Sequence, residues 1–441
     1  MEMEAANRGT KKKIHYAWLV FGACFLMVMV TLGFGSSQKS TFLKAITSQL
    51  GLSRGGFAVN DVARFLVTAV LNFSFGMIIK KLNARWMILI GFLSLILSSL
   101  INAFATDYWH FYVAGALLGA GLAWTTTTMV GFIVGNWFTN NKGTMMGIIL
   151  AANGLGGFLS EPIVTKLIYG SDGSLSDADA RWRLAYLVIA GIFAVVAVIV
   201  LLIVRGRPEE KGLQPLGQDG KKKKPRGAFW TGYELKDVLK KPFFYIAGFA
   251  VMAVGFTLQA MSSVAKPHMY DIGLSKDFVI SAFMLHSLLL MVAKMLFGFL
   301  FDRIGIRPTY LICAVAAVGA LAAVSFISPE RSYLAYVYSI VSSFGLPLET
   351  VMIPLLVAEL FGRKAYSHIL GYFLALNSVG YALGSVVTNA VYDLTGTYHG
   401  VLIVLTITML SAACIQLVVI TMAKKGREAF EAEEAMTTAE G

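Results

Sequence analysis

Charged side chains stand inside long apolar stretches of this sequence, and their chemistry is unusual for such a setting. Lys294 lies within the run Leu288–Leu300, and no carboxylate lies within one helical turn of it. An ammonium group is costly to bury without a negative partner. We therefore expect Lys294 either to bind a small anion or to form an ion pair with another segment's carboxylate, for which Glu349 and Asp61 are candidates.

Other ionisable residues in apolar stretches are candidates either for ion pairs or for coupling transport to charge movement. Asp61 and Arg64 are three residues apart, so they share one helix face. We expect them to pair with each other or across helices, or to form a charge relay that opens and closes with a conformational change. Glu161 and Glu349 are candidates to carry protons or to balance Lys294, and the sequence does not rank them.

Three further residues are candidates for ligand contact. Lys39 closes the first apolar stretch, where position alone indicates an interfacial lysine whose stem lies along lipid. His286 lies two turns before Lys294 and could accept a proton near neutral pH, or it could be a hydrogen-bonded structural residue. Trp124, followed by four threonines, is mostly expected to be structural, with substrate contact as the functional alternative.

The composition indicates the elements that must hold these residues. Of the 441 residues, 57% are hydrophobic and 14% are charged, and the mean hydropathy is +0.69. A soluble protein carries about 25% charged residues, so much of this chain must face lipid. A membrane-spanning helix needs about 20 mostly apolar residues. The sequence holds twelve such runs, spans 1 to 12: 16–38, 56–79, 86–106, 109–136, 143–169, 184–204, 243–265, 277–301, 308–328, 332–360, 365–393 and 399–422.

The basic residues predict the orientation. With the N-terminus in the cytoplasm, 26 of the 37 Lys and Arg residues fall in cytoplasmic segments, where basic residues gather. Both termini are then cytoplasmic, and the protein is a multi-pass protein of the plasma or inner membrane. This bias accounts for the formal net charge of +12, so no nucleic-acid partner is expected.

The longest polar stretch, 205–241, separates six spans from six. We predict an all-α membrane protein with two six-helix bundles, 1–204 and 242–424, joined by a cytoplasmic linker, 205–241. The lysine run 221–224 fits a solvated segment near anionic lipid. The acidic cytoplasmic tail, 425–441, is expected to fray.

An internal repeat relates the two halves. The motif Gly76-x-x-x-Lys80-Lys81-x-Asn83-x-Arg85 after span 2 matches Gly298-x-x-x-Asp302-Arg303-x-Gly305-x-Arg307 after span 8, and Asn153 and Gly156 match Asn377 and Gly380. The offsets are 222 and 224 residues, which indicates duplication. Transporters built from such repeats bind substrate between the halves, and Asn377 is included among the candidate substrate-binding residues.

At these positions the sequence resembles the major facilitator superfamily, of which the motif Gly298 to Arg307 is a signature. The resemblance covers nearly the whole chain and implies two bundles that rock to give alternating access. It also implies that Asp302 and Arg303 fasten the cytoplasmic ends of neighbouring helices in one conformation, with a loop and helix-cap role as the alternative. In the first half Lys80 replaces the family's Asp, so no equivalent lock is implied there.

A narrower resemblance is to the monocarboxylate transporter family and the related oxalate/formate antiporters. The stretch 38–44 resembles the end of helix 1 in the former, where a lysine takes part in substrate and proton handling, and that position is Lys39. Lys294, four residues before Gly298, falls at the place of that family's helix 8 arginine. The resemblance implies that Lys294 holds a carboxylate and that Lys39 assists it.

The chain also departs from these relatives. Leu290 stands where the monocarboxylate transporters have an Asp, and span 11 has no basic residue, which argues against a dicarboxylate. Lysine also lacks the bidentate fork of arginine. The sequence therefore keeps an anionic preference while leaving proton symport and anion exchange both open.

Other function classes lack their motifs. There is no Walker loop, nucleophile elbow or metal-ligand cluster, so we expect no enzyme, ATP drive, metal or cofactor. We predict a monomeric secondary active transporter whose partners are a small carboxylate, the lipid bilayer and, in the symport case, protons. The alternatives are a drug or organic-cation efflux pump of the same fold, kept open by Glu349 and Glu161, and a non-transporting membrane sensor.

Overall fold

The computed structural model describes the backbone of residues 15–138, 142–170, 175–216, 232–362 and 364–439, and the side chains of all of these except 142, 143, 302, 367, 425, 426 and 428–439. Its helices are Tyr16–Gly35 and Lys39–Leu50 (span 1), Arg54–Lys81 (span 2), Ala84–Ala103 (span 3), Tyr108–Thr125 and Thr127–Trp137 (span 4), Lys142–Tyr169 (span 5), Trp182–Ile203 (span 6), Pro242–Asp271 (span 7), Lys276–Ile304 (span 8), Ile306–Ser325 (span 9), Leu334–Gly345, Pro347–Thr350 and Met352–Phe361 (span 10), Tyr366–Thr395 (span 11) and His399–Ala439 (span 12). Short helices lie at Pro208–Lys211, Leu235–Val238 and Pro329–Arg331.

Twelve segments of the described chain are long and apolar enough to cross a membrane, which confirms the predicted number. Helices suit this environment because each satisfies its own backbone hydrogen bonds where water is absent. Large apolar side chains also cover the outside, such as Phe73 and Val195, which are 77% and 62% exposed. A surface of this kind is matched to lipid rather than to water.

Two predicted spans prove longer than the sequence indicated. Span 1 runs on to Leu50 rather than ending at residue 38, because an amphipathic second helix follows a short break. Span 7 continues to Asp271 rather than 265. In both cases a lysine near the predicted end lowered the apparent hydropathy, although its side chain is paired inside the protein.

The acidic tail, which we expected to fray, is helical as far as Ala439 in the structure. It continues the helix of span 12 without a break. Alanine and glutamate supply eight of residues 425–439, and both are strong helix formers. An ion pair between Arg427 Nη1 and Glu359 Oε1, at 3.2 Å, fastens the start of this extension to span 10.

Buried apolar side chains of the described residues form one cluster in each half of the chain, from Ala17 to Val204 and from Tyr233 to Ala423. Span 6 ends at Ile203 and span 7 begins at Pro242. Linker residues 217–231 lie outside the described part of the chain. Between the halves, span 2 packs against span 11 and span 5 against span 8.

Close helix packing repeats in both halves at matched glycines. A Cβ atom on Gly156 of span 5 would lie 3.1 Å from Gly33 Cα of span 1. A Cβ atom on Gly380 of span 11 would lie 2.8 Å from Phe256 N of span 7. Because only glycine permits these approaches, the two residues paired by the sequence repeat occupy equivalent packing positions.

Candidate substrate cavity

Span 1 is broken in its middle, and the break positions Lys39. The first helix ends at Gly35, and Ser37 Oγ donates a hydrogen bond to the Leu32 carbonyl at 3.1 Å. Lys39 is the first of the 12 residues of the second helix, which places it roughly 16 Å from the far end at about 1.5 Å per residue. Lys39 is therefore internal, and the interfacial reading is wrong.

Lys39, Asp61 and Arg64 form one charge cluster. Lys39 makes an ion pair with Asp61 of span 2. The second carboxylate oxygen of Asp61 accepts a hydrogen bond from Ser385 Oγ of span 11 at 2.9 Å. Arg64 Nη1 lies 3.7 Å from Asp61, while Arg64 Nη2 donates to Ser36 Oγ at 2.6 Å. The expected contact between Asp61 and Arg64 is present, but Lys39 is the closer cation.

A different ion pair connects the two halves, and one of its members, Lys266, was not identified from the sequence. Lys266 Nζ of span 7 lies 2.5 Å from Glu161 Oε2 of span 5, and their side chains are 1% and 2% exposed. The ammonium group also donates to Thr41 Oγ1 at 2.8 Å and lies 4.6 Å from the centre of the Phe283 ring. Glu161 is thus paired with Lys266, and the proposal that it balances Lys294 is wrong.

Lys294 and Glu349 face each other without direct contact. Glu349 lies in the four-residue helix Pro347–Thr350, between two interruptions of span 10. It is the carboxylate that interacts electrostatically with Lys294. Among the described residues, neither side chain has an oppositely charged group within 4.0 Å. The ion pair considered from the sequence is therefore not closed, and Asp61 is not its member.

His286 is held against span 10. Its Nδ1 atom lies 2.9 Å from Ser342 Oγ and 3.1 Å from Ser343 Oγ. The ring is nearly parallel to that of Tyr338, with 6.4 Å between centroids. These contacts fix the ring between spans 8 and 10, and a role in substrate contact stays a prediction.

A cavity of about 210 Å³ lies between the halves. Spans 1, 2 and 5 line it on one side, and spans 7, 8, 10 and 11 line it on the other. The charged groups in its lining are Lys39, Asp61, Arg64, Glu161, Lys294 and Glu349, and His286 is also present. The structure therefore brings seven of the predicted site residues to one space. Across the described chain, no group of three or more His, Cys, Asp or Glu residues could hold a metal.

Two candidate substrate residues lie elsewhere. Trp124 packs into the core of the first half, and its buried Nε1 has no hydrogen-bond partner within the described structure. Asn377 is buried where span 11 crosses Gly255 of span 7. Neither is among the described residues that line the cavity. The packing of Trp124 agrees with the structural role expected for it, whereas the substrate contact expected for Asn377 is not seen.

The end of the cavity remote from the termini is closed by contacts between the halves. Arg54, at the start of span 2, binds Asp271 with both guanidinium nitrogens, at 2.6 and 3.0 Å. Lys44 Nζ lies 3.3 Å from the same carboxylate. Asp393 of span 11 accepts hydrogen bonds from the backbone nitrogens of Arg54 and Gly55 at 3.0 and 2.7 Å.

Two tyrosines complete this closed end. Arg54 stacks on the ring of Tyr392 at 3.9 Å and donates to the Tyr398 hydroxyl at 3.0 Å. Burial raises the pKa of the Tyr398 hydroxyl, so it keeps its proton and donates to Asn389 Oδ1 at 2.9 Å. The polar contacts of Arg54 are therefore shielded from water on several sides.

The proposed gating motif lies at the opposite end. Gly298 is within the helix of span 8, and Gly305 joins spans 8 and 9 with a φ of +79°, a conformation that favours glycine. Arg303 and Arg307 are exposed there. The side chain of Asp302 lies outside the described residues, so the lock with Arg303 stays a prediction.

Residues 19–264 and 255–438 match the sequence model of the Major Facilitator Superfamily. Monocarboxylate transporter 12-B of Danio rerio is 24% identical over 420 residues, which cover 87% of this chain and 82% of the relative. Monocarboxylate transporter 12 of Homo sapiens is 22% identical over 408 residues, which cover 87% and 76%. The resemblance to these families is confirmed.

A solved structure shares the fold. A bacterial homolog to the human lysosomal transporter Spinster, in an inward-facing and unoccupied conformation, superposes with a TM-score of 0.70. The match covers 95% of this chain and 99% of that chain at 15% identity. At this identity the likeness concerns the arrangement of the helices.

Proposed function

Because the chain belongs to the major facilitator superfamily and its fold and relatives are those of transporters rather than enzymes, we propose that it is a secondary active transporter of small organic anions, with monocarboxylates as its substrate class. Lys294 carries this proposal. Its ammonium group faces the cavity between the halves, and no carboxylate of the described chain closes an ion pair with it. A substrate carboxylate supplies the missing negative charge.

The charges around the cavity also favour an anion. Lys39 and Arg64 together exceed the single negative charge of Asp61, Lys266 cancels Glu161, and Lys294 stands against Glu349, so these groups carry one net positive charge. Bound anions are stabilised where positive charge is preorganised at low dielectric. The positive charge of Lys39 and Arg64 that Asp61 does not compensate lies on the wall of the cavity opposite Lys294. A carboxylate in the cavity therefore meets positive charge from both halves.

Transport then requires the halves to rock about the loaded site. With the termini in the cytoplasm, the closed end formed by Arg54, Asp271 and Asp393 is the outer one, and the cavity is reached from the cytoplasm. Outward opening breaks these contacts while the motif Gly298 to Arg307 closes the inner end. Binding of the anion favours the change to the extent that the anion binds one conformation more tightly than the other.

We assign the protein to the plasma or inner membrane, with both termini cytoplasmic, and to a monomeric working state. The basic-residue bias supports the orientation. The two halves that line the cavity belong to the same chain, so the proposed mechanism requires no second copy. Proton symport and anion exchange both agree with the charge of Lys294, and the distinction depends on which group carries a proton.

One observation favours efflux of organic cations as a second candidate. Glu349 is a cavity carboxylate without an ion pair in the described structure, and Phe57, Phe283 and Tyr338 supply aromatic surface. A lipophilic cation binds to such a combination of charge and rings. The two candidates differ in which of the two unpaired charges the substrate meets.

Thermal-shift screening of the purified protein separates these candidates. The probes are C2 to C6 monocarboxylates, lactate and pyruvate on one side, and tetraphenylphosphonium and ethidium on the other. We expect stabilisation by a subset of the carboxylates, since a ligand that binds the folded state raises its melting temperature. Stabilisation by the cations alone would reverse the assignment.

A further inference from the structure

We propose that Glu349 binds and releases the proton that accompanies the carboxylate, which makes this protein a symporter rather than an exchanger. The inference rests on the proposed function, because it needs an anion at Lys294. It concerns a residue of span 10 whose side chain lines the same cavity. The two groups lie on different helices and come together only in the fold.

Glu349 is identified as the proton-binding carboxylate because the other cavity carboxylates already have cationic partners. Three carboxylates line the cavity in the described structure, namely Asp61, Glu161 and Glu349. Asp61 is compensated by Lys39 and by the more distant Arg64. Glu161 is compensated by Lys266 in a pair that is almost inaccessible. Of the three, Glu349 is the one without a bound cation, and its other polar partner is the Tyr381 hydroxyl. It is therefore the carboxylate that can exchange a proton in the cavity without first breaking an ion pair.

The surroundings of Glu349 determine when it binds that proton. Its charged and titratable neighbours from the packed elements and across the cavity are Lys294 and His286 of span 8, Tyr381 of span 11, and Lys39, Asp61 and Arg64 of the first half. Lys266 of span 7 is engaged with Glu161. His286 is held by the serines of span 10. Lys294 is thus the cation on which the charge of Glu349 depends.

An anion bound at Lys294 changes this relation. The empty site holds one ammonium group and one carboxylate, which attract each other across the cavity. A substrate carboxylate adds a second negative group to the same cation, and like charges close together favour protonation of one of them. By linkage, a proton on Glu349 strengthens anion binding by the same factor by which the anion strengthens proton binding.

The net charge of Lys294 and Glu349, together with whatever is bound to them, then determines in which loading states the two halves can change conformation. The empty pair and the pair loaded with anion and proton carry the same charge. A pair loaded with the anion alone carries one extra negative charge, which is costly to enclose between apolar walls. The carrier therefore changes conformation either when it is empty or when both the anion and the proton are bound, so the two cross the membrane together.

Proteoliposomes containing wild-type protein, Glu349→Gln or Glu349→Asp test the proposal, with Glu359→Gln as a matched control in the same span. The probes are labelled lactate and pyruvate, and protein-free liposomes correct for passive entry of the neutral acids. For the wild type, a gradient of one pH unit, alkaline inside, should drive about tenfold accumulation, because one proton across one pH unit is worth about 1.4 kcal/mol. Glu359→Gln and Glu349→Asp should still accumulate the labelled anion in response to the pH gradient.

Glu349→Gln should lose the pH drive but keep anion counterflow within about twofold, because glutamine mimics the protonated group. Full pH-driven accumulation by Glu349→Gln would overturn the proposal. So would loss of counterflow by that variant in a folded state, since Glu349 would then bind substrate. If wild-type protein exchanges neither probe nor any C2 to C6 monocarboxylate, the proposed function itself fails.

A second measurement on the wild type keeps the proposal testable if Glu349→Gln does not fold. Titration calorimetry of lactate and pyruvate in two buffers of different ionisation enthalpy counts the protons taken up with the anion. We expect uptake that approaches one proton per anion near neutral pH. Binding without proton uptake across the accessible pH range would overturn the proposal.

Discussion

Replacing Lys266 by Met should destabilise the protein strongly, although Lys266 was not identified from the sequence as a candidate site residue. The substitution leaves Glu161 as a carboxylate that is 2% exposed and has lost the cation 2.5 Å away. Its remaining partner is Thr165 Oγ1, which donates to the other carboxylate oxygen at 3.4 Å. One long hydrogen bond does not replace an ion pair.

The magnitude follows from two opposing terms. At 2.5 Å and an effective dielectric constant of about 20, the attraction between the charges is roughly 7 kcal/mol. Burial of the two ions costs several kcal/mol each, so the intact pair contributes little net stability. Removing only one partner keeps a burial cost without the attraction. We therefore expect Lys266→Met and Glu161→Met each to cost about 3–5 kcal/mol, and the double variant to be near wild type.

Unfolding in mixed micelles by titration with sodium dodecyl sulfate, followed by circular dichroism, measures these differences. Lys364→Met is the control, because its ion pair with Glu234 has side chains that are 52% and 59% exposed, and it should leave the unfolding midpoint unchanged. Additive effects of the two single substitutions would refute the reasoning. Single effects below about 1 kcal/mol would do so as well, since they would mean that the pair is solvated.

Further predictions address the closed end, the helix packing and the excluded aromatic residue. Arg54→Gln should shift the population towards opening at the end remote from the termini by roughly tenfold or more, because a charged hydrogen-bonded pair contributes about 1.5–3 kcal/mol; distances between spin labels on the two halves measure this shift. Gly156→Leu should reduce the yield of monodisperse protein in size-exclusion chromatography, whereas Gly147→Leu should not, because a Cβ atom at Gly147 meets nothing within 4 Å. Trp124→Phe should leave lactate and pyruvate binding unchanged and the melting temperature equal or higher, because it removes a buried donor that lacks a partner in the described structure; weaker binding would return Trp124 to the site.

Most of the fold could be predicted from hydropathy, because lipid imposes long apolar helices. The errors fall where polar residues lie inside the protein. The second helix of span 1 contains Lys39 and Lys44, so its composition resembles a loop more than a span. The breaks at Ser36 and Pro347 divide helices without changing the overall apolar pattern, and only the structure reveals that they bring Lys39 and Glu349 to the cavity.

The candidate site was partly predictable for a related reason. Charges in apolar runs are rare, so Lys294, Asp61 and Glu349 could be found from the sequence. Their pairing could not, because it depends on which spans meet across the two halves. Lys266 was missed because the apolar run ended one residue before it, which made a fully buried lysine resemble an interfacial one. Asn377 was included with the sequence repeat and lies instead in the packing of one half.

Counterflow in proteoliposomes, compared between wild-type protein and Lys294→Ala, tests the central claim most directly. Vesicles loaded with unlabelled lactate or pyruvate should transiently accumulate the labelled anion when wild-type protein is present. Lys294→Ala should reduce the initial rate about 10- to 100-fold, as loss of a charge-assisted contact of about 1.5–3 kcal/mol implies, while its melting temperature stays near that of wild type. Lys166→Ala, which removes an exposed lysine from the last turn of span 5, should leave counterflow unchanged. Wild-type counterflow in a folded Lys294→Ala variant would contradict the assignment of this lysine as the anion anchor.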